Sequence, residues 1–364
     1  MSRCPSHHTL LIEQLGTGHR LFYLRLLAEA ELAGGHEVTV AMPEAVRSLP
    51  EFRIHMSHLH ERIEFLFIES LDLESIAQAA ISCCASLTVV PDGDSTAYRL
   101  SRVGRWTGPG CIAVLVMREF AQPSRSATFT AARTIMKRIL LTRVSQVKNV
   151  ELRILKSATW SGHSRFRTTP DPVVLSASDA QAEELRRSWD VEADTYWFGM
   201  MGYITDRKNP ILIAQALRLA SSIHPESRLG LIVAGQVQPA LKAELSLLFD
   251  SLAAAGVKVR VRDEALEDHE LDGAVRLADC LVLAHSNEGP SGLLGKSAAA
   301  GTRVIASGAS SLRSDIGSLG HGAHWCKLTV EDVAQAMGSA LTQSAPLPSQ
   351  VAGPTEFANS LLVF

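Results

Sequence analysis

The chain has little of what marks several function classes. Phe, Trp and Tyr make up only 5% of its residues, too few for the aromatic platforms on which nucleic-acid bases stack. The formal net charge is -3, so no basic excess points to a polyanionic partner, and no nucleic acid is expected. Cysteine is sparse: Cys4, Cys83, Cys84, Cys111, Cys280 and Cys326 form no CxxC pair and sit mostly in apolar segments. They read as thiols of a reducing compartment rather than a disulfide or metal framework. His55, His58 and His60 cluster, and His321 and His324 lie three apart, but there is no HExxH. Both groups read as solvated polar stretches, and no metal site is expected. Long apolar runs are missing too. The first, Thr9 to Ile12, is cut by Glu13, which argues against a signal peptide. No stretch approaches the length that crosses a bilayer. A cytoplasmic location is the expectation.

What is present is a chain of 364 residues, 46% hydrophobic and 20% charged, enough for two domains with proper cores. Short apolar runs alternate with helical patterns. Strands are expected at Thr9–Glu13, Glu37–Ala41, Ile63–Ile68, Leu87–Val90 and Ile112–Val116. The rhythm restarts at Thr195–Met200, Leu229–Ala234, Val257–Val261, Cys280–Leu283 and Val304–Ala306. Continuous apolar strands separated by amphipathic helices imply parallel sheets covered on both faces. Thr168-Thr-Pro-Asp-Pro172 resists helix and suits a hinge. The reading is a first Rossmann-like domain over 1–168, a second over 169–345 and a tail over 346–364.

Two loops of the second half carry the functional signal. In Glu288-Gly-Pro-Ser-Gly-Leu-Leu-Gly-Lys296, an apolar strand runs into a Gly- and Ser-bearing turn that opens an alanine-rich helix. Such a turn aims backbone N–H groups and the positive end of a helix at one point, an arrangement that receives phosphate. Lys208 lies on a comparable loop after the first strand of the same half. Together they suggest a diphosphate gripped from two sides.

At this point the sequence resembles a known family. Phe198-Gly-Met-Met-Gly202-Tyr-Ile-Thr-Asp-Arg207-Lys208-Asn-Pro is similar to the glycine-to-lysine signature of the retaining glycosyltransferases of family 4. The stretch from Glu288 to Val304 resembles their pattern of two glutamates eight apart, a small-residue helix, Gly and a strand. Leu15-Gly16-Thr-Gly18-His19, followed later by Gly34-Gly-His-Glu-Val38, resembles their opening unit more loosely. The resemblance implies the GT-B architecture: two facing Rossmann-like, doubly wound parallel-sheet domains with an interdomain cleft. The first would bind the acceptor and the second the nucleotide-sugar donor. This chain departs from the pattern at Lys296, where the second glutamate would stand, at Tyr203 in place of an arginine, and at Ser291, with the glycine one step later at Gly292.

The implied roles are these. Lys208 neutralises the leaving diphosphate and so favours the transition state; the alternative is a solvated lysine. Arg207 substitutes for the missing arginine. Glu288 binds sugar hydroxyls or is a surface loop residue. Gly202 shapes the first loop, and Gly289, Ser291, Gly292 and Leu293 bring backbone N–H groups to the phosphate. Ser291 also suits a helix N-cap. Lys296 reaches the nucleotide or points to solvent. In the first half, Gly16 and Gly18 form a turn that lets a ligand approach the backbone, or simply a tight strand-to-helix turn. His19 touches the diphosphate or the acceptor. Asp92, Asp94 and Arg118, on the expected carboxyl-end rim, are acceptor contacts by position; Asp94 equally suits an N-cap. The segment 133–156 is basic, with apolar residues at helical spacing, and reads as a helix that lies on an anionic membrane or packs on its own domain.

The expected function is transfer of a sugar from a nucleotide-sugar donor to a hydroxyl acceptor, with retention and without metal or other cofactor. The acceptor is a sugar, a lipid-linked molecule or a small metabolite. The alternatives are a catalytically degenerate partner subunit and a sugar-nucleotide epimerase.

Overall fold

The computed structural model describes residues 7–16, 20–122 and 126–363. The chain divides into two compact units. One comprises the residues up to Lys156, His163–Pro170 and the chain from Pro354 onward; the other holds Ser157–Gly162 and Asp171–Gly353.

The first unit is built on seven strands: β1 (His8–Ile12), β2 (Glu37–Met42), β3 (Glu64–Phe67), β4 (Leu87–Val90), β5 (Cys111–Val116), β6 (Val150–Lys156) and β7 (Arg167–Pro170). Their order is β3-β2-β1-β4-β5-β6-β7, and each pairing is parallel. Alternate side chains leave each strand on opposite faces. Leu11 packs with Leu21, Leu24 and Leu27 of the Arg20–Ala33 helix. Its neighbours Leu10 and Ile12 join the other face with Ile76, Ala80, Ala97 and Leu100. Fully burying one such aliphatic side chain is worth about 1.5–3 kcal/mol, which is why strands apolar on both faces settle in the middle of a covered sheet.

The Pro354–Leu362 helix packs on this unit. Its Phe357 ring centroid lies 4.8 Å from that of Tyr23, and Ser360 Oγ donates to Thr169 Oγ1 at 2.9 Å.

The second unit carries β8 (Tyr196–Met201), β9 (Leu229–Ala234), β10 (Lys258–Arg262), β11 (Cys280–His285), β12 (Arg303–Gly308) and β13 (Ala323–Cys326). The order is β10-β9-β8-β11-β12-β13, again parallel throughout. One face buries Phe198, Met200, Leu231 and Val233 against Ile213, Leu217, Val333 and Met337. The other buries Trp197, Ile232 and Leu281 against Ala274, Val275 and Trp189.

Three strands were not legible from apolar runs. β6 alternates Glu151, Arg153 and Lys156 with apolar residues, and its charges are met locally. Arg153 and Arg167 each lie 3.0 Å from Glu151, and Lys156 lies 3.1 Å from Glu119. The basic stretch 133–156 is therefore not one helix. The helix covers Ala127–Val144, and 150–156 is an inner strand. Thr168–Pro170, read as hinge, belongs to the edge strand β7, where a terminal proline removes no ladder bond.

In both sheets the strand order reverses once, between β1 and β4 and between β8 and β11. Open parallel sheets of this kind bind ligands beyond the carboxyl ends of the strands at such a reversal.

Candidate functional site

The loops that follow β8 and β11 meet at the reversal of the second sheet. After β8 the chain turns at Gly202, whose φ of +76° suits glycine. A Cβ there would stand 3.0 Å from Lys208 Nζ and 3.9 Å from Leu293 Cδ1. Gly202 is thus the point on which the two predicted loops converge. The chain continues through the 3-10 turn Asp206–Lys208 to Asn209, which is left-handed at φ +48° and precedes the Pro210–Ile223 helix.

This loop is fastened to the end of β11. Asn209 Nδ2 donates to the Ala284 carbonyl at 2.8 Å. The backbone N–H of Ser286 donates to the Arg207 carbonyl at 2.9 Å, and its hydroxyl reaches the same oxygen at 3.2 Å.

Positive charge collects here. Lys208 Nζ donates to the Met201 carbonyl. Burial, reinforced by the neighbouring Arg207, pushes its ammonium down to about 8. His285, the last residue of β11, is pushed down to about 4 by burial and then by Lys208 and Arg207. Among the described residues neither Lys208 nor Arg207 has a carboxylate within salt-bridge distance. A half-buried lysine whose charge is disfavoured by burial stands beside an exposed arginine, and neither cation is balanced by a carboxylate.

The third contributor is the Gly292–Ala300 helix. Asp72, Ser126, Ser178 and Thr329 each cap the helix that follows them by accepting a backbone N–H. Ser291 occupies the same position before Gly292 but makes no such bond. The N-cap expectation for its side chain is not met: the Leu294 N–H turns back to the Ser291 carbonyl at 3.0 Å, and the hydroxyl leaves the Gly292 and Leu293 N–H groups without a side-chain cap. A Cβ on Gly292 would lie 3.9 Å from a carboxylate oxygen of Asp171.

Glu288 has a definite partner. Its Oε1 accepts from the Ser310 N–H at 2.8 Å and the Ser310 hydroxyl at 3.0 Å, and its Oε2 accepts from the Ser311 N–H at 2.7 Å. Burial opposes the charge, but these bonds from Ser311 and Ser310 hold the carboxyl below the usual glutamate range. Glu288 thus ties the loop after β11 to the Ser310–Asp315 helix that follows β12. Gly289, at φ +142°, adds a bond from its N–H to Ser311 Oγ at 3.1 Å. Two donors fill Glu288 Oε1, and Oε2, with a single donor, keeps lone-pair capacity for a ligand.

Lys296 departs from expectation. Its ammonium is bonded to Asp272 Oδ1 and to the Val174 carbonyl, the latter at 2.9 Å. Asp272 is fully buried, and its other oxygen takes the Ser176 N–H and hydroxyl at 2.7 and 2.8 Å. Lys296 completes an ion pair with Asp272, and its side chain stays 20% exposed.

In the first unit, Thr17, Gly18 and His19 lie outside the described residues. A Cβ on Gly16 would meet Val46 Cγ1 and Leu49 Cδ1 at 2.6 Å, so packing against these two side chains is sufficient reason for a glycine there. Asp94 is the first helical residue rather than the N-cap. It accepts from the Met117 N–H and from Lys137 Nζ, both at 2.8 Å. Arg118, after β5, lies against the Gln122 amide. Asp92 pairs with Arg20 Nε at 2.5 Å.

Beside this pair sits a residue that the sequence reading passed over. Glu13, at the end of β1, is 2% exposed. Its Oε1 accepts from the Leu15 N–H at 2.9 Å, while Oε2 has no partner. Burial, aided by Asp92 and opposed by the Leu15 N–H and Arg20, pushes its carboxyl up to about 8. Glu13, Arg20 and Asp92 mark the reversal point of the first sheet as Lys208, His285 and Glu288 mark that of the second.

No family model matches the sequence, and no curated protein matches it. Solved structures do match, over nearly its whole length. A glycosyltransferase from Rickettsia africae superposes with a TM-score of 0.64 at 11% identity, over 93% of this chain and 89% of that one. HepE from Anabaena, solved in complex with UDP, gives 0.64 at 12% identity, over 98% and 94%. WaaG, a glycosyltransferase involved in lipopolysaccharide biosynthesis, gives 0.60 at 14% identity, over 98% and 100%. At such identities the likeness is one of fold: the chain has the GT-B fold, with its two Rossmann-like parallel sheets.

Proposed function

We propose that the protein transfers a sugar from a nucleotide-sugar donor to an acceptor hydroxyl, with the donor diphosphate held at the carboxyl edge of the second sheet. One observation carries this reading. Lys208 and the start of the Gly292–Ala300 helix, which lacks a side-chain cap, meet at Gly202, Arg207 stands next to Lys208, and among the described residues no carboxylate lies within salt-bridge distance of either cation. A diphosphate supplies the missing charge, and more of it as the glycosidic bond breaks. Groups fixed in advance around that charge stabilise the transition state more than the ground state. That HepE, of like fold, was solved with UDP is consistent with this placement.

In this reading Glu288, held ionised by Ser310 and Ser311, directs the remaining lone pair of Oε2 to a sugar hydroxyl and favours positive charge at the anomeric carbon. Side-chain cations and backbone N–H groups, rather than a metal ion, meet the phosphate charge. Retention rests on the family resemblance. The first unit binds the acceptor, which is a sugar, a lipid-linked molecule or a small metabolite, and the setting is the cytoplasm or its membrane face.

The test is incubation with a panel of labelled sugar nucleotides, with and without hydroxylic acceptors. Transfer that is lost in Lys208→Ala supports the reading. Product formed without any acceptor identifies an epimerase. Donor binding without turnover identifies a degenerate subunit.

A further inference from the structure

We propose that the first unit docks on anionic lipid bilayers through the outward face of the Ala127–Val144 helix. Among the described side chains of this helix, only the apolar Leu141 and Val144 are fully buried. Phe129, Ile135, Met136 and Ile139 are 58%, 61%, 68% and 47% exposed. Single exposed apolar side chains are ordinary, but several gathered on one helix mark a contact surface.

The charge on the helix has one sign. Arg133, Lys137, Arg138 and Arg143 are present, and Asp and Glu are absent. Lys137 is bonded to Asp94 at 2.8 Å and Arg138 lies 3.5 Å from Glu119, so the outward field comes chiefly from Arg133 and Arg143. A groove beside the helix is lined by Ile135, Arg138, Ile139, Thr142, Arg143 and Arg165, which sets guanidinium groups around an aliphatic floor.

This pairing of chemistries selects the occupant. The boundary between headgroups and acyl chains of an anionic bilayer offers negative charge and hydrocarbon within a few ångströms of each other. A free phosphate would leave four apolar side chains in water. A second copy meeting this face through a twofold axis would set its arginines against their own like. The helix would lie in the interface and not cross it, because no helix among the described residues is long and apolar enough to span. The inference rests on the first unit alone and stands or falls separately from the nucleotide site.

The experiment is co-sedimentation of the full chain with vesicles of phosphatidylcholine alone and of phosphatidylcholine with phosphatidylglycerol. Binding is expected to the anionic vesicles, weakly to the neutral ones, and to decline with added salt. Arg133→Ala with Arg143→Ala should lower partitioning about thirtyfold, at roughly fivefold per charge. Ile135→Ser with Met136→Ser should lower it at least about tenfold. Both variants alter exposed positions, so their unfolding midpoints should match the parent. No binding, equal binding to the two vesicle types, or wild-type binding by both variants overturns the proposal. A dimer that forms with rising concentration and is lost in Ile135→Ser with Met136→Ser also overturns it, in favour of a protein partner.

Discussion

Glu13→Gln tests the reading of the first unit in a quantity that needs no ligand. The side chain is 2% exposed, and its carboxyl titrates near 8 in the folded protein against an ordinary value of 4.5. Below pH 4.5 the folded and unfolded chains both hold the proton, and the group imposes no titration cost. Between 4.5 and about 8 the unfolded chain gives the proton up while the folded chain keeps it, so stability falls. Above about 8 the loss is complete. At about 1.4 kcal/mol per pH unit, that interval is worth at most about 5 kcal/mol. Glutamine has the same shape, cannot ionise and keeps an oxygen for the Leu15 N–H. The variant and the parent should therefore have similar urea midpoints at pH 4, and the variant should be increasingly the more stable from pH 5 to 9, by about 3–5 kcal/mol at the top. A difference that does not change with pH would refute a buried, protonated carboxyl at this position.

Three further outcomes follow from the second unit. Lys208→Ala should weaken nucleoside diphosphate binding about tenfold to a hundredfold, the worth of one charged hydrogen bond, as read by titration calorimetry. Because binding requires the protonated amine, which is half lost near pH 8, wild-type affinity should fall as pH rises above about 8, with proton uptake on binding; Lys208→Met should abolish that slope. Lys296→Ala leaves buried Asp272 without its cation and should destabilise by about 3–5 kcal/mol, whereas Lys296→Met combined with Asp272→Leu should recover part of this in the same urea assay.

The sequence was most legible where chemistry is local. Apolar runs such as Leu229–Ala234 and Cys280–Leu283 became inner strands because a doubly covered sheet demands side chains apolar on both faces. The loops carrying Lys208 and Glu288 were found because glycine, phosphate-type turns and strand ends share a local signature. What escaped depends on partners distant in the chain. Lys296 looked like a ligand contact because its counter-ion, Asp272, stands on a helix 24 residues earlier and nothing near either residue announces the pair. β6 was hidden because its charges look solvated until Glu119 and Glu151 are placed beside them. Two signals were readable and missed. Glu13 ends an apolar run at a strand's carboxyl end, and His285 stands at the equivalent position of β11; a polar residue there points into the ligand edge of a parallel sheet.

The central claim is that the loops after β8 and β11 form one anion site for a nucleoside diphosphate. Calorimetric titration of the protein with UDP, GDP and ADP in turn, repeated on Gly202→Ala, examines it most directly. A Cβ at residue 202 would press on Lys208 Nζ at 3.0 Å without touching the Ser310 and Ser311 bonds of Glu288. The account predicts that at least one nucleotide binds and that this substitution weakens it severalfold or more. Absence of binding by all three, or binding that ignores the change at position 202, would contradict it.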